Sequence, residues 1–256
     1  MSDNLNNNTP EGASPTGSPS GPVRVRRSRF RLTPITLGII ALTVLFYVLQ
    51  VLSQNLFGYD LPALLFAKVN EYILRGEVWR LITPVLLHGS IIHLLSNMYA
   101  LFVIGPGIER SFGKSRFIAL YLLAGLLGNT FSFLFTSAPS LGASTSIFGI
   151  IAAQAIFIFR NQRIFGQAAR PMLMNIMVII FINLMIGFIP GIDYWGHLGG
   201  LIGGLIFSWF AGPVFEGMST PFGAAITEKK DVGLNFVIMG EIGLAVVLVL
   251  LKFIFK

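Results

Sequence analysis

The chain has 256 residues, of which 54% are hydrophobic and 11% charged, and a mean hydropathy of +0.76. Soluble domains carry about 25% charged residues, so this composition excludes an ordinary soluble protein and points to a polytopic membrane protein. The absence of cysteine excludes disulfides, a thiolate nucleophile and cysteine-ligated metal. The net charge of +7 does not indicate nucleic acid: Arg24, Arg26, Arg27, Arg29 and Arg31 stand directly before the first apolar run, where they suit anchoring to anionic headgroups.

Residues 1–31 are predicted to be a disordered, basic, cytoplasmic tail, because the Asn-, Ser-, Gly- and Pro-rich stretch has too little apolar surface to fold. A span needs roughly 20 mostly apolar residues, and seven candidates follow at 35–54, 84–104, 116–137, 144–160, 172–190, 195–211 and 235–254. The first is too long for a signal-peptide core and reads as a retained helix. Residues 55–83 mix apolar side chains with Asp60, Lys68, Glu71, Arg75, Glu77 and Arg80, and are expected to lie on the membrane surface as short helices with Trp79 at headgroup level. Residues 32–211 thus form a six-helix core, 212–234 a cytoplasmic linker, and 235–256 a seventh helix. The fold class is an all-α polytopic bundle.

Basic residues fix the expected orientation. With the N-terminus inside, thirteen Lys and Arg fall on the cytoplasmic side and five on the other, so the reading is N-in, C-out. The second, fourth and sixth spans then run inward from the outer face. His93, Ser144 and His197, scattered over a hundred positions, arrive at similar depth near that face.

Polar residues at such places are expensive and usually have a task. Ser144 follows Gly142 and Ala143 at the head of a short apolar run. The free N–H groups of a helix N-terminus would favour an oxyanion beside it, although a serine there is by itself also an ordinary N-cap. His197 lies among Gly196, Gly199, Gly200, Gly203 and Gly204. Glycines at four-residue spacing let helices touch closely; here they would bring His197 against the helix of Ser144, where Gly149 and Ala153 offer a matching small face. A packing motif holding a satisfied histidine is the plainer alternative. His93 and Asn97, four residues apart, share a face and can donate to an oxyanion or hydrogen-bond between helices. His88 is five residues before His93 and off its face, and no carboxylate stands nearby, so no metal site is expected. Asp193 is expected above His197, in the loop. Phe148, four after Ser144, can hold the imidazole by its ring.

These segments resemble the rhomboid family of intramembrane serine proteases. E-V-W-R-L-I-T (77–83) resembles its W-R motif, H-L-L-S-N (93–97) its H-x-x-x-N, Gly105 to Gly113, with I-E-R-S-F-G, its G…E…G turn, G-A-S-T-S-I-F-G (142–149) its G-x-S-G, and G-H-L-G-G-L-I-G-G (196–204) its A-H-x-G-G. The resemblance implies Ser144 as nucleophile and His197 as base. It implies an oxyanion held by His93, Asn97 and the Ser144 N–H, with Phe148 stacked on the base. Trp79 and Arg80 would brace the first loop, Glu109 the turn, and Gly142, Gly149, Gly199, Gly200 and Gly203 the close packing. The seventh helix matches a 6+1 subtype. Two departures stand out: Thr145 replaces the usual glycine, and Phe148 stands where many members have tyrosine.

The expected activity is a Ser-His endopeptidase without cofactor or metal. Its partners would be single-pass or other transmembrane protein substrates and the lipid bilayer, and not nucleic acid, and its location a prokaryotic plasma membrane. The alternative is a rhomboid-like protein that binds or escorts transmembrane clients without catalysis. A transporter fits poorly, because acidic residues are missing from mid-depth of the six core spans.

Overall fold

The computed structural model describes residues 33–220, 223–229 and 233–254. The tail 1–31, with its five arginines and its expected disorder, lies outside them.

Helix α1 (Pro34–Phe57) starts on a proline at its first position and stops at Gly58, in the left-handed region at φ 80°. Both are ordinary start and stop signals, since proline loses no helical bond at that position and glycine carries no Cβ to clash. Its buried residues are Thr36, Thr43, Gln50 and Ser53, so it turns a small polar stripe inward and its leucines and valines outward. That inverts the soluble pattern and suits hydrocarbon, where apolar side chains gain nothing by burial.

The segment to residue 90 holds α2 (Leu61–Phe66), α3 (Asn70–Leu74) and two 3₁₀ turns, Val78–Leu81 and Thr83–Leu86. The second span therefore does not begin at 84. Pro84 sits in a 3₁₀ turn, and the helix α4 (Ile91–Phe112) opens where the Ser90 hydroxyl accepts the His93 N–H at 3.2 Å. It runs to Phe112, eight residues past the expected end. The remaining helices are α5 (Lys114–Phe135), α6 (Ser144–Arg160), the short α7 (Gln162–Phe165), α8 (Ala169–Ile186), α9 (Tyr194–Ala211) and α10 (Leu234–Ile254).

Helices α5, α6 and α9 pack against one another at the centre. α4 and α8 flank α6, α1 lies on α4, and α10 lies on α5 and α9. Among the described residues, five segments are long and apolar enough to cross a membrane: α1, α4, α5, the run Gln162–Ile186 and α10. The other two expected spans are α6, which is shorter, and α9, diluted by five glycines and His197. Both are lined by protein and need less apolar surface.

The all-α bundle is what the chain forms within the membrane. The expected linker at 212–234, however, contains an antiparallel hairpin, β1 (Phe215–Thr220) and β2 (Gly223–Glu228), paired from Phe215↔Glu228 to Thr220↔Gly223. It is tied to the bundle. Asn161 donates to the Pro213 carbonyl at 3.0 Å and accepts the Phe215 N–H at 2.7 Å, and Arg116 pairs with Glu228 at 2.5 Å.

Candidate active site

Ser144 is the first residue of α6. The chain reaches it through Gly142, whose φ of 137° lies where only glycine is at ease. A Cβ on Gly142 would also sit 2.6 Å from Cε1 and 2.8 Å from Nε2 of His93, so this glycine lets the His93 ring lie directly against the backbone leading into Ser144. The Gly142 N–H is fixed by the Pro84 carbonyl at 2.9 Å.

His197 lies in the first turn of α9. Asp193 caps that helix, accepting the Gly196 N–H at 2.9 Å, and so stands in the loop before the histidine, as expected. The His197 Nε2 is 3.0 Å from the Ser144 Oγ. With Nε2 accepting the serine proton, the ring hydrogen belongs on Nδ1, which has no hydrogen-bond partner among the described residues. Phe148, one turn beyond Ser144, stacks on the imidazole at 4.4 Å between centroids and 18° between planes. The ring plane, unsupported by a carboxylate, is thus held by an aromatic face.

This meeting depends on backbone contact. A Cβ on Gly200 would lie 2.8 Å from the Thr145 carbonyl carbon, and one on Gly204 2.6 Å from that of Gly149. Gly199 and Gly203 face α5 instead: a Cβ there would come within 2.6 Å of Phe131 Cβ and 3.2 Å of Leu127 Cβ. One glycine-rich helix therefore touches two neighbours on adjacent faces. The buried Thr145 methyl points toward Gly128 on α5 and Gly196 on α9, where added Cβ atoms would be 2.9 and 3.2 Å from it. The bulk that replaces the usual glycine is thereby received by glycines on two other helices.

On the opposite wall, Asn97 is buried and its Nδ2 lies 3.1 Å from the Nε2 of His88. The Ala143 N–H points at the same nitrogen from 3.5 Å. An Nε2 facing two donors is an acceptor, so His88 is neutral with its hydrogen on Nδ1. Burial, with His93 adding to it, pushes this imidazole down to about 3. Its ring is 4.9 Å from that of His93. Sequence reasoning set His88 aside because helical spacing put it off the His93 face, but it precedes the helix, and the extended backbone at Leu87 turns it in. One Asn97 N–H is held by His88 and the second remains to donate into the cavity.

Ser144, His197, His93, Asn97 and Phe148 all line one cavity of about 810 Å³. α6 forms its floor, α4 and α8 its flanks, and the loops 136–142 and 191–193 its rim. Of the other expected residues Gly142 also lines it, while Trp79, Arg80 and Glu109, like the four packing glycines, lie outside it. Arg80 is buried and ties the end of α2, donating to the Ala67 and Leu64 carbonyls at 2.8 Å each and to Glu77 at 2.7 Å. Trp79 is exposed, with its indole N–H on the Leu65 carbonyl at 3.2 Å. Glu109 does not brace a turn: it lies within α4 and caps α1, accepting from Ile35 N at 3.0 Å, Thr36 N at 2.7 Å and the Thr33 and Thr36 hydroxyls.

A residue with no sequence signal, the buried Lys68, closes the rim. Its ammonium donates to Thr136 and Ala138 carbonyls at 3.1 and 2.8 Å, and its backbone pairs with Ser140. Burial pushes it down to about 8, against the opposing pull of Asp193. Among the described residues, no group of three or more His, Asp or Glu is placed to hold a metal ion.

The rhomboid domain profile matches residues 75–214, which contain every element of this cavity. The chain belongs to the rhomboid family. It is an integral membrane protein with the rhomboid fold. The rhomboid protease GluP of Bacillus subtilis is 42% identical over 166 residues, covering 64% of this chain and 32% of GluP. RHOMBOID-like protein 9, chloroplastic, of Arabidopsis thaliana is 33% identical over 165 residues, 64% of this chain and 38% of its own length. RHOMBOID-like protein 5 of the same plant is 37% identical over 161 residues, 60% and 52% respectively. The aligned part therefore spans about a third to a half of these rhomboid relatives.

Proposed function

We propose that the chain is an intramembrane serine endopeptidase that cleaves other membrane proteins in or near their transmembrane segments. The observation that carries this is the 3.0 Å contact between Ser144 Oγ and His197 Nε2 at the floor of a cavity flanked by membrane helices. The serine oxygen attacks the scissile carbonyl while its proton passes to His197 Nε2. The negative charge on the carbonyl oxygen is met by the Ser144 N–H at the start of α6, by His93 and by the free N–H of Asn97. Collapse breaks the C–N bond, and His197 returns the proton to the leaving amine. Water then attacks the acyl ester by the same base and frees the serine. Phe148 holds the imidazole in plane, and no cofactor or metal enters any step.

The same reading takes the chain as a 6+1 rhomboid with the N-terminus cytoplasmic, the C-terminus and the cavity rim on the outer side, in a prokaryotic plasma membrane. The positive-inside bias supports the orientation. The competing reading is a scaffold that binds transmembrane clients without cutting them. Cleavage of a single-pass substrate by the purified protein separates the two. Wild type should cut and Ser144→Ala and His197→Ala should not, with Ser144 labelled by a fluorophosphonate only where His197 is present. A client-binding function that survives Ser144→Ala, with no cleavage by wild type, would replace the protease reading.

A further inference from the structure

The two flanks of the cavity carry more polarity than the chemistry above uses. From α8 the cavity is lined by Ile179, Asn183 and Ile186, one face at helical spacing. Asn183 lies three residues before the end of α8, about 5 Å along the helix. It is half-buried, and its Nδ2 donates to the Ile179 carbonyl at 2.8 Å. One N–H and the side-chain carbonyl remain for another partner. From α4, Ser96 lies five residues after the helix start, about 8 Å along. Its hydroxyl donates to the His93 carbonyl at 2.9 Å, which leaves its lone pairs to accept, and the residue lines the same cavity. Apart from His93 and Asn97, these are the only polar side chains that the two flanking helices contribute to the lining, among the described residues. A carboxamide and a hydroxyl that the bundle does not need for packing are costly in a hydrocarbon-facing wall, and such groups are functional by default.

A transmembrane helix hides its scissile carbonyl in its own hydrogen bonds. To reach Ser144 it must unwind, and each freed peptide N–H and C=O in an apolar wall costs a few kcal/mol unless it finds a partner. Asn183 offers one donor and one acceptor, the complement of a single peptide unit, and Ser96 a further acceptor across the cavity. Resting on the protease reading, we propose that Ser96 and Asn183 form an intramembrane subsite that hydrogen-bonds the unwound main chain of the substrate beside the cleaved bond. Neither touches the reacting atoms; both stabilise the extended form that the reaction requires.

The test compares wild type with Asn183→Leu, Ser96→Ala and the rescuing variants Asn183→Gln and Ser96→Thr, on one single-pass substrate in the same detergent. Membrane hydrogen bonds are modest, so each loss should lower kcat/KM roughly five- to tenfold. The drop should fall mainly in kcat, because the bonds form only after unwinding. Fluorophosphonate labelling of Ser144, which needs no unwound substrate, should stay at the wild-type rate, and Asn183→Gln and Ser96→Thr should recover most of the cleavage. Cleavage by Asn183→Leu and Ser96→Ala at the wild-type rate overturns the subsite while leaving the protease intact. Labelling that falls together with cleavage assigns the two residues to structure and also overturns it. A wild type that neither cleaves nor labels removes the protease reading, and the subsite with it.

Discussion

The inner helices and the outer helices of this bundle obey different rules. In α5, 72% of the most apolar 18-residue stretch is buried in the protein, against 17% in α1, 17% in Gln162–Ile186 and 22% in α10. The outer helices are solvated by lipid and need only be long and apolar. The inner ones are solvated by one another. α6 is too short, the first half of α9 is nearly half glycine and histidine, and neither stands as a long apolar span by itself. Yet Ser144 and His197 stand on these two. Hydropathy finds the helices that lipid supports and, of the inner ones, α5, whereas the proposed nucleophile and base sit on two helices that protein supports, where a hydroxyl and an imidazole can be partnered.

The sharpest way to break that contrast is to add the same isopropyl group to each class. Gly200→Val would drive a β-branched side chain into the Thr145 carbonyl group, backbone against backbone, where nothing can rotate away. Overpacking of this kind costs about 3 kcal/mol or more, and the 3.0 Å contact of His197 with Ser144 should be lost with it. Gly243→Val in α10 meets nothing within 4 Å and should leave thermal stability unchanged or slightly raised, since valine spends less backbone freedom than glycine. Equal melting temperatures and equal Ser144 labelling in the two variants would contradict the distinction.

Much of this was legible in the sequence, for reasons that are local. The glycines of α9 repeat at four, so their two faces could be read directly, and Phe148 follows Ser144 by one turn of the same helix. What escaped was either non-helical or distant. The apolar run Val85–Leu87 looks continuous with α4, and only Pro84 and Ser90 reveal the 3₁₀ turns that swing His88 against Asn97, behind the cavity wall. Glu109 sits in a Gly-rich stretch that suggests a turn, but its partners are the N–H groups and hydroxyls of α1, more than seventy residues away. Lys68 meets carbonyls at Thr136 and Ala138, and backbone acceptors leave no trace in side-chain patterns. The hairpin at 215–228 falls in a stretch whose Pro, Gly and charges read as a linker.

The next effect down concerns the ring that replaces a carboxylate. Phe148→Ala removes the stack on His197 and leaves Nδ1 with no partner and the ring with no wall. An aromatic contact is worth about 0.5–1.5 kcal/mol beyond its area, so cleavage should fall roughly tenfold. Phe148→Tyr should restore it, because the face rather than the edge is used. Loss of activity in Phe148→Tyr as severe as in Phe148→Ala would mean that the edge of the ring matters.

A smaller effect, visible only in acid, separates the two walls of the cavity. His88 is held neutral by burial, down to about 3 in the fold, against about 6.5 when unfolded. The unfolded chain therefore binds the extra proton first as pH falls. The contribution of His88 is complete above pH 6.5 and is lost progressively toward about 3, by at most about 1.4 kcal/mol per pH unit. His88→Gln keeps an acceptor for Asn97 without a titrating group, so its melting temperature should fall less steeply than wild type between pH 6.5 and 4. Parallel pH profiles would show that His88 is not the group that titrates.

The smallest expected differences lie at the end of α5, where the inner and outer classes meet. Two lysines reach carbonyls there: Lys68 from the surface segment to Thr136 and Ala138, just past the helix, and Lys252 from α10 to Leu134 at 2.9 Å. Lys68→Met keeps the packed stem and removes the ammonium. The Thr136 carbonyl retains Asn70 at 2.9 Å, so one acceptor, Ala138, is left bare, and the desolvation that holds Lys68 near 8 is relieved at the same time. The net cost should be about 1 kcal/mol, felt at the cavity rim through Ser140. Lys252→Met removes a single bond from a helix that lipid already supports and should cost less than about 0.5 kcal/mol. If α10 were part of the inner framework, the order would reverse. A melting temperature lowered more by Lys252→Met than by Lys68→Met would move the seventh helix from the lipid-supported class to the protein-supported one.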